Sequence, residues 1–167
     1  MNKSNNLLRL NVGRMYNKAI GSSHEVPVDI DEIVVDDLSI QALHSVVRLS
    51  RTREGILLQV KTGAKVLTSC VRCLKEIYLP VETEFEELYQ FMTRHREEED
   101  LILPNDGYLD LGPLFREYLI LATPIKRLCD SNCQGLCVVC GADLNLTTCE
   151  HQSSEGSQSV TFDQETH

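Results

Sequence analysis

Residues 43–69, LHSVVRLSRTREGILLQVKTGAKVLTS, decide the fold. Leu43, Ser45, Val47 and Leu49 alternate with His44, Val46 and Arg48, the period of two that marks a strand with one buried face. Arg53-Glu54-Gly55 turns the chain into ILLQV at 56–60, and Thr62-Gly63 predicts a second turn into AKVLTS at 64–69. Runs of this kind joined by short Gly-bearing loops make an antiparallel meander.

Outward from that stretch the pattern continues. Residues 75–86 predict another strand, with Val81, Thr83 and Phe85 on one face and Glu82, Glu84 and Glu86 on the other. On the N-terminal side, LLRLNV at 7–12 suits a first strand and Gly21-Ser22-Ser23 a turn. Residues 26–37 mix Val and Ile with acids, and Pro27 assigns them to a sheet edge or to a non-strand start. Residues 93–107 are polar and acidic and predict a surface loop. Leu111, Leu114, Phe115, Tyr118, Leu119 and Ala122 then repeat at helical spacing. Pro113 suits the first turn of that helix, Asp110 or Gly112 its cap, and Pro124 its end. The fold class is therefore α+β. It is mainly an antiparallel β meander or partly open barrel, with one packing helix and a C-terminal Cys-rich, metal-binding lobe. The division is residues 1–124, 125–151 and 152–167, the last a polar segment with too little apolar surface to order.

Composition narrows the function classes. Hydrophobic residues make 42% and charged residues 25% of 167, ordinary for a globular domain. Aromatics make only 5% and Trp is absent, so an aromatic platform for bare bases is not predicted. No apolar run nears the ~18 residues of a membrane span. The first residues match neither a secretory signal nor a transit peptide, so the expected location is cytoplasmic. The net charge is −9, yet Arg48, Arg51, Arg53, Lys61, Lys65, Arg72 and Lys75 face the single acid Glu54 within residues 48–75. A basic middle in an acidic chain can steer an anionic partner. Solvated strand faces explain it equally well.

Seven cysteines, at 70, 73, 129, 133, 137, 140 and 149, with His151 behind the last, require a cause. Disulfides are disfavoured by a reducing compartment and by the odd count. A thioredoxin-type redox pair needs a strand-to-helix turn, which neither CVRC (70–73) nor CVVC (137–140) has. Structural metal remains, because a C-x2-C turn places two thiolates at the separation a tetrahedral zinc takes. Seven Cys and one His suffice for one or two zinc ions. Cys137, Cys140, Cys149 and His151 form the most compact set, leaving Cys70, Cys73, Cys129 and Cys133. A zinc-ribbon-like site joining Cys70 and Cys73 to Cys137 and Cys140 is the alternative. Thiolate-rich sites are closed and structural. His24, His44 and His95 have no partners at telling spacing, and neither HExxH nor a phosphate-cradling Gly loop occurs. The chain is expected not to be an enzyme and to have no small-molecule substrate.

Four stretches in order, LNVGRMYNKAIGSS (10–23), CVRCL (70–74), EYLILATP (117–124) and CDSNCQGLCVVCGADLN (129–145), resemble the YceD-like family of large ribosomal RNA subunit accumulation proteins. The resemblance covers roughly residues 8–151. It implies a non-enzymatic role in the synthesis, processing or stability of large-subunit (23S) ribosomal RNA, in a bacterial setting. By motif, Cys70, Arg72, Cys73, Glu117, Cys129, Cys133, Cys137, Cys140 and Cys149 carry over, and His151 stands where the pattern has a Cys. The implied partner is ribosomal RNA or a pre-ribosomal particle. It would be met directly through the basic meander, or through a ribosomal protein or nuclease with no RNA contact. A thiol redox sensor is a third reading.

Overall fold

The computed structural model describes residues 7–91 and 101–151. Four long strands, β2 (Ser23–Val35), β3 (Leu38–Arg51), β4 (Gly55–Ser69) and β5 (Glu76–Gln90), form an antiparallel meander in the order β2-β3-β4-β5. Two short strands, β1 (Arg9–Asn11) and β6 (Tyr108–Asp110), pair separately. The helix α1 (Gly112–Ala122) follows β6. Segment 92–100, with His95, and the tail 152–167 lie outside the described residues, so the expected loop is seen only from Leu101.

Side-chain alternation sets which face is inside. In β3, Leu43, Ser45, Val47 and Leu49 are buried while His44, Val46 and Arg48 are exposed. Before them Leu38 and Ile40 are buried, so the parity changes between 40 and 43. A β-bulge between Gln41 and His44 makes that change, with Ala42 at φ 48°. One added residue resets a period of two.

The predicted turn at Thr62-Gly63 is not there. β4 runs unbroken through it, with Thr62 opposite Ser45 and Gly63 opposite His44. The reason is legible in the parity: Ile56, Leu58, Val60, Thr62, Ala64 and Val66 are all buried and even-numbered, a series that a turn would have broken. The buried Thr62 hydroxyl is satisfied by Ser45, whose hydroxyl donates to it at 2.5 Å. Pro27 does lie in an edge strand, opposite Val46.

The helix meets the expected stripe. Leu111, Leu114, Phe115 and Leu119 are buried, and Phe85 of β5 packs edge-on to Phe115 and stacks on Tyr118. The helix cap residue is Leu111, but the Asp110 carboxylate accepts the Gly112 N–H at 2.9 Å and satisfies one orphan donor of the first turn. The Thr123 hydroxyl donates to the Leu119 carbonyl at 2.7 Å where the helix ends.

Contacts divide the chain into two units. One holds Met1–Thr68 and Ile77–Arg127, and the other Ser69–Glu76 and Leu128–His167. The loop between β4 and β5 thus belongs with the C-terminal cysteines.

Two glycines of β4 make opposite demands. A Cβ on Gly55 would collide with the Tyr89 carbonyl oxygen and lie 2.8 Å from Gln90 Cα, whereas one on Gly63 would meet only the Glu82 side chain at 3.7 Å. Gly55→Ala is expected to destabilise by about 1–3 kcal/mol through backbone displacement. Gly63→Ala should be neutral or stabilising by roughly 0.5 kcal/mol, since Gly weakens strands. Urea unfolding of both variants checks the contrast.

Candidate metal centre

The two C-x2-C segments fold alike. In the first, the Leu74 N–H donates to the Cys70 carbonyl and the Cys70 N–H to the Lys75 carbonyl, both at 2.9 Å. In the second, the Gly141 N–H donates to the Cys137 carbonyl at 2.9 Å and the Cys137 N–H to the Ala142 carbonyl at 2.8 Å. Each loop turns on a left-handed residue directly after its second Cys, Leu74 at φ 60° and Gly141 at φ 73°. Glycine takes that conformation freely and leucine at a cost. The turn aims backbone N–H groups at the first sulfur. The Cys73 and Arg72 amides lower the Cys70 thiol to about 6, and the Cys140 and Val139 amides lower Cys137 to about 6.

Two clusters result, both within the second unit. Cys70, Cys73, Cys129 and Cys133 form one; Cys137, Cys140, Cys149 and His151 form the other, and in each the ligand atoms all lie within 4.8 Å of one another. In the first, Cys70 Sγ is 3.8 Å from Cys133 Sγ and Cys73 Sγ is 3.5 Å from Cys129 Sγ. In the second, Cys149 Sγ is 3.3 Å from Cys140 Sγ, 3.5 Å from Cys137 Sγ and 3.1 Å from His151 Nδ1. Metal–sulfur bonds of ~2.3 Å in a tetrahedron space the sulfurs by about 3.8 Å, while a disulfide needs about 2.05 Å. The seven cysteines are free thiols, at metal-ligand spacing. The compact partition is the one the structure holds. The ribbon-like alternative, Cys70 and Cys73 with Cys137 and Cys140, is not assembled.

The clusters differ in shielding. Cys70, Cys73 and Cys133 are buried and pack with Leu128 and Leu136. Cys140 and His151 are exposed. Within the first cluster the Cys73 and Cys133 sulfurs push the Cys129 thiol up to about 12. Adjacent thiols resist ionising together, and a dication removes that conflict.

Arg72, between two ligands, donates from Nη1 to the Cys133 carbonyl at 2.8 Å, and its own carbonyl accepts the Leu136 N–H at 3.1 Å. Gly135, at φ 80°, lets that strand of chain approach: a Cβ there would lie 3.1 Å from the Arg72 carbonyl oxygen. Sequence reading missed one supporting residue, Asn145. Its Oδ1 accepts the Gln134 N–H at 2.7 Å while its Nδ2 donates to Cys133 Sγ at 3.6 Å and to Asp143 Oδ1 at 2.6 Å. The Asp143-x-Asn145 pair, an Asx-type turn, was the available signal.

The seven cations of the basic stretch are dispersed. Arg48, Lys61 and Lys65 are exposed on the sheet, where Arg48 stands opposite Glu25 and Lys61 pairs with Glu84 at 3.1 Å. Arg51 lies 4.1 Å from the Phe91 ring centroid and donates to the Thr52 and Gly55 carbonyls. Arg53 is exposed at the β3–β4 turn. Arg72 and Lys75 belong to the second unit. His44 pairs with Asp29 at 2.8 Å, and Glu117 lies on α1.

The family model for the large ribosomal RNA subunit accumulation protein YceD matches residues 58–163, more than half of the chain and all eight ligands. An uncharacterized protein of Mycobacterium leprae is 29% identical over 101 residues, which cover 58% of this chain and 46% of that one. A chloroplastic large ribosomal RNA subunit accumulation protein YCED homolog 1 of Zea mays is 35% identical over 54 residues, 30% of this chain and 18% of that one. An uncharacterized protein of Mycobacterium bovis is 27% identical over 101 residues, 58% of this chain and 49% of that one. The chain thus spans less than half the length of the curated relatives it matches. No solved structure matches it.

Exposure predicts the order of metal loss. A chelator should empty the Cys137 cluster before the Cys70 cluster, in two phases read by a chromogenic metal indicator. Cys149→Ser should remove the fast phase alone. Cys133→Ser should remove the slow phase and cost the second unit its order, as structural thiolate sites contribute folding energy outright.

Proposed function

The chain belongs to the YceD family of large ribosomal RNA subunit accumulation proteins, and from that premise we propose that it is a cytoplasmic, bacterial, non-enzymatic accessory factor in accumulation, processing or stability of large-subunit (23S) ribosomal RNA. The observation that carries the reading is the family match over residues 58–163, which takes in both Cys-x2-Cys loops in their order. The site chemistry supports it from a second direction. All-sulfur and three-sulfur, one-nitrogen donor sets that are closed on themselves suit zinc in a structural role. We assign zinc to both clusters, with Cys70, Cys73, Cys129 and Cys133 holding one ion and Cys137, Cys140, Cys149 and His151 the other. The ions fix loops and perform no reaction.

A second reading is favoured by the outer face of β5, where Glu82, Glu84 and Glu86 are exposed. Such a row suits a basic ribosomal protein, with RNA reached through it.

The test is depletion in the source cell with the tagged chain followed on a sucrose gradient. Co-migration with large-subunit precursors and a selective fall in large-subunit relative to small-subunit RNA are expected. Equal loss of both RNAs, or migration with free protein only, contradicts the proposal. Ribonuclease treatment before pull-down separates the two readings, because an association bridged by RNA disappears and one with a ribosomal protein persists.

A further inference from the structure

On the sheet, part of the conspicuous basic stretch is answered by acids: Lys61 pairs with Glu84 and Arg48 stands opposite Glu25. On the outer sheet face, the clefts lined by Arg48 and Lys61 are also lined by Glu25, Glu84 and Glu86, and by Glu82 beside Gly63. A third cleft, of about 640 Å³, lies where the segment after β1 passes the start of β2. Its cations are Arg14 and Lys18, both exposed, and the exposed His24 stands beside them. Ser22 and Ser23 add hydroxyls, and no carboxylate lines it. Among the described residues, Arg14 and Lys18 have no ion pair, as is true of Arg53, Lys65 and Lys75, whereas Arg9, Lys61 and Arg116 each have one; the cleft is set apart by gathering two such cations in one concave space with no acid in its lining. In a chain of net charge −9 this is a local reversal of sign. It acts at short range, because salt screens charge beyond about 8–10 Å.

The cleft also has an apolar floor, in Met15 and Leu49, which are 5% and 1% exposed. Met15 is fixed by the single 3-10 turn Gly13–Met15, whose chain is held to Gly107 by the Val12 and Gly13 N–H groups at 2.8 and 3.1 Å. Every one of these residues from Val12 to Ser23 falls in the stretch LNVGRMYNKAIGSS, which the metal clusters leave without a role.

We propose that this cleft is the chain's RNA contact: Arg14 and Lys18 hold backbone phosphates of an unpaired RNA segment, with one nucleotide seated over Met15 and Leu49. The proposal rests on the ribosomal RNA reading above and deepens it. A concave space of this size admits a nucleotide turned out of a strand, the form in which proteins read RNA, and not the convex backbone of a duplex. No aromatic side chain lines the cleft, so stacking contributes little and the phosphates dominate.

The experiment uses the full chain loaded with zinc and a fluorescent, mixed-sequence single-stranded RNA of about 12 nucleotides, within the range such clefts bind. Anisotropy is read at roughly 50 and 200 mM salt. R14E/K18E should weaken binding at least ~10-fold, and R14Q/K18Q should flatten the log–log salt slope by about 1.4, the value for two phosphates on a single strand. R48E/K61E should change affinity less than about 2-fold, since those cations already face carboxylates. Both positions of the first pair are exposed, and unchanged thermal melting verifies the fold. Wild-type affinity in R14E/K18E, an equal loss in R48E/K61E, or no RNA binding by the unmutated chain overturns the proposal. So does competition by inorganic phosphate or 5′-AMP at concentrations equal in phosphate to the RNA, which would mark a free-anion site. Gradient co-migration is scored in the same variants. If R14E/K18E still co-migrates with large-subunit precursors, the cleft assignment fails and the ribosomal reading stands. If the unmutated chain binds RNA through the cleft and never co-migrates, the reverse holds.

Discussion

Three or four sulfurs gathered within a few ångströms of one another are an unstable arrangement unless positive charge sits among them, and the second unit holds one gathering of four and one of three with a histidine. That unit has little else to hold it. Among the described residues its apolar packing is Leu128 and Leu136 against Cys70, Cys73 and Cys133, and its strand pairing an isolated bridge between Leu136 and Asp143. A segment this short and this poor in buried hydrocarbon falls below the size at which a core sustains itself. Metal–thiolate bonds would substitute for the core, and the contacts present orient the ligands: Arg72 Nη1 on the Cys133 carbonyl, the Asn145 amide on its sulfur, the bare Cα of Gly135 against Arg72. Ligands placed by such contacts are held in one geometry.

The first unit obeys the opposite economy. There the hydrophobic faces of β3, β4 and β5 close on Phe115 and Leu119, and the buried hydroxyls of Ser45 and Thr62 satisfy one another.

What could be read from sequence follows from range. Local signals were reliable: the alternation in 43–49, the helical stripe from Leu111 to Ala122, and the loops at 70–73 and 137–140 each announce themselves within a few residues. The even parity running through Thr62 was equally local, and the Thr-Gly pair concealed it. Ligand partition was not local, because Cys73 and Cys129 are 56 residues apart and no spacing rule connects them. Charge was the least legible property. The excess of cations in 48–75 is real along the chain, but β2 and β5 lay glutamates beside β3 and β4, so at Arg48 and Lys61 cross-strand neighbours offset what one-dimensional counting adds. Arg14 and Lys18, sparse in sequence, keep their charge because the fold brings no acid to them.

The wide separation of Cys73 from Cys129 bears on biosynthesis. A ribosome adding about 5–20 residues per second exposes the first sulfur pair roughly three to eleven seconds before its complement is made. Throughout that interval the nascent chain carries half of a chelate, two soft sulfur ligands open to any soft ion or oxidant nearby. The Cys137, Cys140, Cys149 and His151 set, by contrast, emerges almost at once and closes on its own neighbours. The earliest sulfurs must wait for the chain to return to them, yet their set is complete at Cys133, before any ligand of the second set has been made.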